Sequence, residues 1–339
     1  MKSVVIDRPG HHDIIESATL QPGVGEVVVR PTLTGVCGTD LHLYEGGFMA
    51  RYPLTPGHEI LGIIEAVGDG VAGLVVGQQV AVDNATACGT CKYCRRGERL
   101  YCEHFHSLGC NAPGGFSQQA LVRAEKCWDT SGLPAGVAVF AEPTACVIHG
   151  MDVLQLKPGS DVLVLGAGPT GLLLSQLLLH GGASRVTIAA PTPFKLALAK
   201  TYGIDRTLQL TRSGVASNEK TLLESAPDGY DIVIDATGAH ALIEILPSLT
   251  RTGGTILIYG VADEADRVAW SPYDIFRREL TIRGSFAQID CFERALAMLR
   301  SGRLKTEGLL THTFDLGHYG DALEALRKDP TCLKAVIAA

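Results

Sequence analysis

The chain has 339 residues, of which 46% are hydrophobic and 19% are charged, and its formal net charge is −7. This length is too great for one ordinary core and predicts two domains. The acidic balance leaves no basic surface for a phosphate backbone, which excludes nucleic acid as a partner.

The sequence shows no targeting or membrane-spanning segment. Its first residues lack a charged segment followed by a long apolar run. Apolar runs such as Leu172–Leu179 are far shorter than a membrane span. Beyond one cluster, the cysteines are scattered along the chain, which suits a reducing compartment. We therefore expect a cytoplasmic protein with no membrane partner.

Residues 1–150 have the pattern of a mostly β domain. Short β-type runs are separated by Gly and Pro, and helical periodicity is weak; these runs are Val27–Val29, Ile60–Val67 and Gln79–Val82. The many glycines at strand ends are likewise typical of a turn-rich β region joined to an α/β region.

Four cysteines are clustered within this β region with spacings of x2, x2 and x7: Cys88, Cys91, Cys94 and Cys102. Four thiolates can enclose Zn²⁺ tetrahedrally at about 2.3 Å, and short spacings let one loop wrap the ion. The alternatives are two disulfides, which suit a secreted protein although nothing else in the sequence indicates secretion, and four idle thiols, which would not account for the clustering. The spacing predicts a structural zinc site that is closed and has no chemistry of its own.

The pattern changes after Lys157-Pro158-Gly159 to strands that alternate with helices. Six apolar runs have strand length: Val162–Leu165, Arg185–Ala190, Arg206–Leu210, Asp231–Asp235, Thr255–Tyr259 and Leu280–Gly284. Helical segments lie between them, among them Thr170–His180, Phe194–Tyr202 and Ala239–Leu246. This alternation predicts a doubly wound parallel sheet over residues 151–286.

The remaining residues, 287–339, are too few for a domain of their own. They contain an amphipathic helix near Cys291–Arg300 and a terminal apolar run, Leu333–Ala338. We expect them to fold back and complete the domain of residues 1–150.

A dinucleotide-binding turn is predicted where the first strand of the second domain meets its helix. Gly166, Gly168 and Gly171 form a GxGxxG pattern that includes Pro169 and Thr170. The first glycine permits the tight turn, the second a close approach of pyrophosphate, and the third close packing of helix on strand. The helix N-terminus offers N–H donors to the phosphates.

The end of the next strand favours NADP(H) over NAD(H). An NAD site usually places a carboxylate about 20 residues beyond the glycines, to bind the ribose hydroxyls. Here that strand ends at Ala190, so no carboxylate repels a 2′-phosphate. Thr192, Lys195 and Arg212 follow as candidate donors, although Lys195 can also be read as a residue of a solvated helix face.

A second group of candidate site residues, which includes possible metal ligands, is scattered through the β region: Cys37, Thr39, Asp40, His42, His58, Glu59 and Glu142. One thiolate, one imidazole and a carboxylate suit a catalytic zinc, which keeps three protein ligands and an open position. Spacing alone does not bring these residues together.

The chain resembles the zinc-dependent medium-chain dehydrogenases, in the branch that contains sorbitol, threonine and related polyol dehydrogenases. The resemblance extends over essentially all 339 residues and rests on motifs in order: VCGTDLH at 36–42, PGHE at 56–59, the four-cysteine lobe, AEPTACVIHG at 141–150, VLVLGAGPTG at 162–171 and DATG at 235–238. It implies an α/β protein with a GroES-like, mostly-β catalytic domain and a Rossmann domain.

The resemblance also implies roles for the scattered residues. Cys37 and His58 would bind catalytic zinc, and either Glu59 or Glu142 would be the third ligand, with the other ligating in an alternate state or holding the water at the open position. Asp40 would accept a hydrogen bond from His58. Thr39 and His42 would form a proton relay through the cofactor ribose to solvent.

We therefore expect a zinc-dependent NADP(H)-preferring dehydrogenase that acts on a secondary alcohol of a polyol or sugar-like substrate. The Arg-Tyr pair that sorbitol dehydrogenases carry after the last sheet strand is replaced here by Gly284-Ser285-Phe286, which leaves the substrate open. Alternatives are a threonine-type or simple secondary-alcohol dehydrogenase, and a non-enzymatic NADPH-binding zinc redox sensor. Family members are commonly homodimers or homotetramers built by edge pairing of the cofactor sheets.

Overall fold

The chain divides into two units. The computed structural model describes all 339 residues, and unit 1 comprises Met1–Ala145 with Gln288–Ala339, whereas unit 2 comprises Cys146–Ala287. Each unit has its own sheet and its own buried core.

The strands are short and follow the apolar runs of the sequence. In chain order they are β1 (Lys2–Arg8), β2 (His11–Glu16), β3 (Glu26–Val36), β4 (Glu59–Val67), β5 (Gln79–Val82), β6 (Ala85–Thr86), β7 (His106–Ser107), β8 (Ala120–Arg123), β9 (Cys127–Asp129), β10 (Asp161–Leu165), β11 (Arg185–Ala190), β12 (Arg206–Gln209), β13 (Tyr230–Asp235), β14 (Thr250–Ile258), β15 (Thr281–Gly284), β16 (Leu310–Asp315) and β17 (Lys334–Ala338).

Most of the longer helices lie in the second half of the chain. The helices are α1 (Gly38–Glu45), α2 (Lys92–Arg95), α3 (Ala135–Ala138), α4 (Ala141–Leu154), α5 (Pro169–His180), α6 (Pro193–Thr201), α7 (Val215–Ser225), α8 (His240–Glu244), α9 (Leu246–Leu249), α10 (Pro272–Arg278), α11 (Phe292–Arg300) and α12 (Tyr319–Lys328). Short 3-10 helices occupy Arg99–Tyr101, Ala124–Lys126 and Leu316–His318.

The sheet of unit 2 has six parallel strands in the order β12-β11-β10-β13-β14-β15. In the central strand β10, Val162–Leu165 is 0% exposed, because neighbouring strands and helices cover it on all sides. This topology confirms the predicted doubly wound parallel sheet. Each of the six predicted strand runs overlaps one strand of this sheet.

The main sheet of unit 1 has the order β16-β17-β3-β4-β5-β9, with β8 also paired to β3. Its centre is β3, which pairs antiparallel with β4 and with the C-terminal strand β17. In this register Gly35 lies opposite Glu59, and Val36 lies opposite Ala335. Three segments far apart in the sequence therefore meet at one end of β3.

Helix α4 was not predicted from the sequence. Most of its residues up to Gly150 are buried, so the segment lacks the alternation of apolar and polar faces that marks an amphipathic helix. Together with α3 it forms a segment, Ala135–Leu154, that is long and apolar enough to cross a membrane, but 67% of its most apolar stretch is buried inside the protein. Burial of this extent is typical of a core helix.

Candidate functional site

Three predicted ligands meet where β3 ends and β4 begins. Cys37 follows the last residue of β3 and caps α1, whereas His58 precedes β4 and Glu59 is its first residue. One ligand atom from each lies within 4.8 Å of the other two. His58 and Glu59 are buried, and Cys37 is partly exposed. A thiolate, an imidazole and a carboxylate at this spacing form a donor set that suits Zn²⁺.

Glu142, the other predicted carboxylate, is not part of this group of three. It lies in the first turn of α4 and is 8% exposed. Its negative charge contributes to raising the pKa of Lys334, so it faces the same buried region. The structure thus brings Glu59 directly to Cys37 and His58, and Glu142 only into their surroundings.

A buried lysine that the sequence analysis missed contacts Glu59. Lys334, the first residue of β17, is 4% exposed, and its Nζ lies 2.6 and 2.7 Å from the two carboxylate oxygens of Glu59. It also donates to the carbonyl oxygen of Val36 at 3.2 Å. The sequence does contain a signal that could have found Lys334, because this lysine opens an apolar strand. A lysine that is buried in such a strand is almost always paired with an opposite charge.

The pKa of Lys334 lies above its ordinary value. Burial would lower this pKa, but the negative charge of Glu59 raises it, and Cys37 and Glu142 act in the same direction. Lys334 therefore stays protonated and contributes a permanent positive charge next to the three candidate ligands.

Asp40 ties the Cys37 turn to His58. It is 0% exposed, and its Oδ2 accepts a hydrogen bond from the backbone N–H of Cys37 at 2.8 Å. Its Oδ1 lies 3.6 Å from His58 Nδ1, and neither of these buried atoms has another hydrogen-bond partner. Although burial would lower the pKa of His58, the nearby Cys110 and Asp40 raise it well above its usual value. The Asp40 carboxylate thus faces the ring nitrogen that a metal-binding imidazole would leave free.

The two residues of the predicted relay lie on α1. Thr39 Oγ1 is 3.8 Å from Cys37 Sγ. His42 follows three residues later on the same helix, so the two side chains project from neighbouring positions. Both side chains are partly exposed. The structure therefore places a hydroxyl next to the thiol and an imidazole one turn further along.

The four clustered cysteines converge in space. Cys88, Cys91, Cys94 and Cys102 each offer a sulfur within 4.8 Å of the others, and none forms a disulfide. Cys88 Sγ lies 4.0 Å from Cys94 Sγ, and Cys91 Sγ lies 3.9 Å from Cys102 Sγ. Four thiols at these separations fit a tetrahedral zinc ion.

Hydrogen bonding and burial shift the pKa values of two of these thiols, Cys88 and Cys94, in opposite directions. The hydroxyl and backbone N–H of Thr90 and the N–H of Cys91 donate to Cys88 Sγ, which lowers the pKa of the Cys88 thiol to about 5. Burial raises the pKa of Cys94 to about 12. Because metals bind thiolates, capture of zinc here requires Cys94 to release a proton, whereas Cys88 is already deprotonated near neutral pH.

The glycine turn of unit 2 has room for a phosphate. Gly166 has φ +112°, and a Cβ on it would lie 2.8 Å from Thr237 Cγ2. A Cβ on Gly168 would have nothing within 4 Å, and one on Gly171 would lie 2.1 Å from the carbonyl oxygen of Gly166. Pro169 and Thr170 then open the 12-residue helix α5. This open, donor-bearing helix start fits a dinucleotide pyrophosphate.

The predicted cofactor-selecting residues follow two neighbouring strands. Ala190 is the buried last residue of β11 and pairs with Gln209 of β12. Thr192 precedes α6, Lys195 lies in its first turn, and Arg212 follows β12. Since both strands end at the same edge of the parallel sheet, these polar side chains lie at that edge, and no carboxylate occupies the end of β11.

Comparisons with known proteins extend over both units. The sequence model of one protein family, the alcohol dehydrogenase GroES-like domain, matches residues 23–135. The sequence model of a second family, zinc-binding dehydrogenase, matches residues 169–301. D-arabinitol dehydrogenase 1 of Uromyces fabae is 40% identical to this chain over 338 residues, which cover 99% of this chain and 97% of that protein.

Two solved structures have the same fold along their whole length. A protein described as a zinc-binding dehydrogenase from Sinorhizobium meliloti 1021, bound to NADP, is 28% identical, with a TM-score of 0.91 and coverage of 100% of this chain and 99% of that one. A protein described as a short chain alcohol dehydrogenase from E. coli CFT073, complexed with NADH, is 32% identical, with a TM-score of 0.89 and the same coverage.

The difference in thiol pKa predicts selective alkylation of the cysteine lobe in protein treated with a metal chelator. At pH 7 Cys88 is mostly thiolate and Cys94 mostly thiol, so Cys88 should react with iodoacetamide at least about tenfold faster. Timed quenching and peptide mass spectrometry would measure both rates. Cys127, whose pKa burial raises to about 12, serves as an unreactive control. Thr90→Ala should slow the alkylation of Cys88, because it removes a hydrogen bond to its sulfur. Equal alkylation rates at Cys88 and Cys94 would contradict the difference in thiol pKa.

Proposed function

Since the chain belongs to the zinc-binding dehydrogenases of the medium-chain alcohol dehydrogenase type, as its motifs predicted, we propose that it interconverts a secondary alcohol of a polyol or sugar-like substrate and the ketone, with NADP(H) as preferred cofactor. The observation that carries the proposal is the meeting of Cys37, His58 and Glu59 within 4.8 Å, next to a threonine hydroxyl. A protein that only binds nucleotide has no use for this combination.

The proposed reaction removes a hydride and a proton from the substrate. A nicotinamide cofactor held at the glycine turn would accept the hydride from the carbinol carbon as the hydroxyl proton leaves the oxygen. Zinc at Cys37 and His58, when bound, acts as a Lewis acid that makes the hydroxyl proton more acidic. Thr39 Oγ1, 3.8 Å from Cys37 Sγ, would accept that proton as it gives its own hydroxyl proton to the cofactor ribose, and His42 would pass the proton on to solvent.

Asp40 and the two glutamates complete the proposed site. Asp40 holds the Cys37 turn through the backbone N–H and fixes the orientation of the His58 ring. Glu59 is the proposed third protein ligand because it is already grouped with Cys37 and His58. Glu142 is the proposed alternate carboxylate, held nearby in α4.

The four-cysteine lobe is proposed to hold a second, structural zinc. Four sulfurs close the coordination shell and leave no position for substrate. The lobe contains no long strand or helix, since α2 has only four residues, so metal ligation is the main force available to hold it.

The preference for NADP(H) rests on the end of β11. Relatives of this fold have been solved with NADP and with NADH, so the choice depends on this chain's own residues. Ala190 presents no carboxylate to a 2′-phosphate, and Thr192, Lys195 and Arg212 supply a hydroxyl and two positive charges at the same sheet edge.

The proposed substrate class is supported by the activity of one relative. D-arabinitol dehydrogenase 1 shares 40% of its residues with this chain, which favours a polyol over an amino acid. We further propose that the protein acts in the cytoplasm as a homodimer or homotetramer.

A spectrophotometric panel tests the proposed activity. Zinc-replete protein is mixed with NADP⁺ or NAD⁺ and with pentitols, hexitols, simple secondary alcohols or threonine, and absorbance of the reduced nicotinamide is followed. We expect the largest kcat/KM with a polyol and NADP⁺. If threonine is the best substrate, the polyol assignment is wrong. If the protein binds NADPH but turns over no alcohol, the alternative of a non-enzymatic zinc redox sensor is favoured.

Two cysteine substitutions separate the two proposed metal sites. Cys37→Ser removes a ligand of the open site, so zinc should fall from about two ions per chain to about one and turnover should be lost, while NADPH binding and thermal stability stay near wild type. Cys94→Ser should also lose one zinc, but its primary effect should be a lower unfolding temperature. Metal analysis, NADPH fluorescence titration and thermal unfolding distinguish the two. Unchanged turnover in Cys37→Ser would refute the open site.

Substitutions at the sheet edge test the cofactor preference. Lys195→Ala should raise KM for NADP⁺ by about tenfold, the loss expected for one charge-assisted hydrogen bond, and should leave KM for NAD⁺ unchanged. Lys200→Ala, an exposed lysine of the same helix, is the matched control and should change neither value. Ala190→Asp should reverse the preference toward NAD⁺. Equal effects of Lys195→Ala on both cofactors would assign Lys195 to the solvated helix face.

A further inference from the structure

Three buried polar atoms at or near the candidate metal site have no hydrogen-bond partner: the hydroxyl oxygen of Tyr319, Asp40 Oδ1 and His58 Nδ1. Tyr319 and Asp40 are 0% exposed, and His58 is 4% exposed. A buried polar atom without a partner costs free energy, so each of them calls for an explanation. Asp40 and His58 belong to the candidate site, whereas Tyr319 comes from α12, near the other end of the chain.

Aromatic packing fixes the ring of Tyr319, the first residue of α12. The ring lies edge-to-face with His12, at a centroid distance of 5.0 Å and an interplanar angle of 83°, and its centroid is 5.3 Å from that of Phe116. The same buried cluster contains Val36, the last residue of β3, and side chains of α1 pack against it. Tyr319 therefore lies beside the turn that joins β3 to α1.

The Tyr319 hydroxyl keeps its proton and lies within the electrostatic influence of Asp40. Burial raises the pKa of Tyr319 well above its ordinary value, and the negative charge of Asp40 raises it further, more strongly than any other neighbour does. A positive His58 acts in the opposite direction. A tyrosine that stays protonated is a hydrogen-bond donor, and the group with most influence on it is a carboxylate with a free oxygen.

Two neighbouring tyrosines have acceptors that Tyr319 lacks. Tyr44 donates to the carbonyl oxygen of Gly10 at 2.6 Å, and Tyr52 donates to the carbonyl oxygen of Leu43 at 2.5 Å. Tyr319 differs from both because no backbone carbonyl accepts its proton. The acceptor of this hydroxyl must therefore be a side chain or a buried water molecule.

We propose that the Tyr319 hydroxyl donates to Asp40 Oδ1 through one buried water molecule, and that Tyr319 is thereby a positioning residue for the His58 ring. The inference rests on the proposed metal site at Cys37 and His58. Asp40 Oδ2 already accepts from the backbone N–H of Cys37, so Oδ1 is the oxygen left for His58 and for this water. One carboxylate oxygen has the capacity to accept both hydrogen bonds.

The water-mediated bond holds the Asp40 carboxylate in one orientation. With both oxygens engaged, the carboxylate does not rotate, and the His58 ring stays turned toward the metal. Without the hydroxyl, Oδ1 is held only by its contact with the ring that it has to orient. The imidazole should then be held less firmly, and the open site should bind metal more weakly. A Tyr319 that only fills space predicts no change in metal affinity when the hydroxyl alone is removed.

The test measures zinc binding to the purified protein in competition with a chelator of known affinity. Of the two expected binding steps, the open site is the one that Cys37→Ser abolishes. Tyr319→Phe keeps the ring and its aromatic contacts and removes only the hydroxyl. In this variant the dissociation constant of the open site should rise by about tenfold, the lower end of the effect of removing a hydrogen-bond partner from a metal ligand. The binding step of the cysteine lobe should be unchanged.

Two matched variants make the result specific. Tyr44→Phe removes a neighbouring hydroxyl, the one that donates to the carbonyl oxygen of Gly10, and should leave the zinc affinity of the open site unchanged. His12→Phe keeps an aromatic ring against Tyr319 but removes Nδ1, another buried atom without a hydrogen-bond partner. It should also leave this affinity unchanged.

A crystal structure of the zinc-loaded protein tests the bond directly. It should show a water molecule about 2.8 Å from both the Tyr319 hydroxyl and Asp40 Oδ1, and this water should be missing from Tyr319→Phe. If Tyr319→Phe does not fold, the wild-type structure decides the question by itself. A hydroxyl that bonds to His12 and not toward Asp40 would overturn the inference.

The outcomes separate this inference from the proposed function. Unchanged zinc affinity in Tyr319→Phe would overturn the positioning role and leave the metal site standing. Equal weakening in Tyr44→Phe or His12→Phe would also overturn it, because the effect would then not belong to the Tyr319 hydroxyl and Asp40. Absence of any binding step that Cys37→Ser abolishes would overturn the open metal site itself, and the inference with it.

Discussion

The antiparallel pairing of β3 with β4 and β17 is the constraint on which the candidate metal site depends. It sets Gly35 opposite Glu59 and Val36 opposite Ala335, so that Cys37, Glu59 and Lys334 meet at one end of β3. A shift of one residue in either pairing would turn each side chain to the other face of the sheet. The sheet therefore sets the geometry of the candidate site, and a side chain at Gly35 would displace the Glu59 carboxylate, which occupies the space of its Cβ.

Sequence patterns predict best the features that are local. The six strands of unit 2 were recognised because strands buried on both faces are continuous apolar runs, as in Val162–Leu165. The cysteine lobe was recognised because its four cysteines lie close together in the sequence. Helix α4 was missed because it is buried on nearly every face and shows no amphipathic period. Lys334 was missed because its partner is 275 residues away, and no spacing rule connects a C-terminal strand to residue 59.

The candidate metal site is a region of opposed charges in a buried setting. Glu59, Glu142 and Asp40 are buried carboxyl groups: Glu59 contacts Lys334, Glu142 helps to raise the pKa of Lys334, and Asp40 faces His58. Lys334 and a protonated His58 supply two positive charges for three carboxyl groups, and unpaired buried charges are costly. The surplus negative charge of these side chains is what a divalent cation would neutralise, and this electrostatic argument supports a metal here independently of any motif.

The two groups of metal ligands differ in how they can assemble. The cysteine lobe draws its ligands from Cys88 to Cys102, so a metal can gather them at the small entropic cost of closing a short loop. The open site draws Cys37 and His58 from separate segments and depends on β17, which ends the chain, for the partner of Glu59. Its ligands meet only after the sheet has formed. Metal binding at the proposed lobe site would therefore assist local folding, whereas the geometry of the candidate open site is imposed by the sheet.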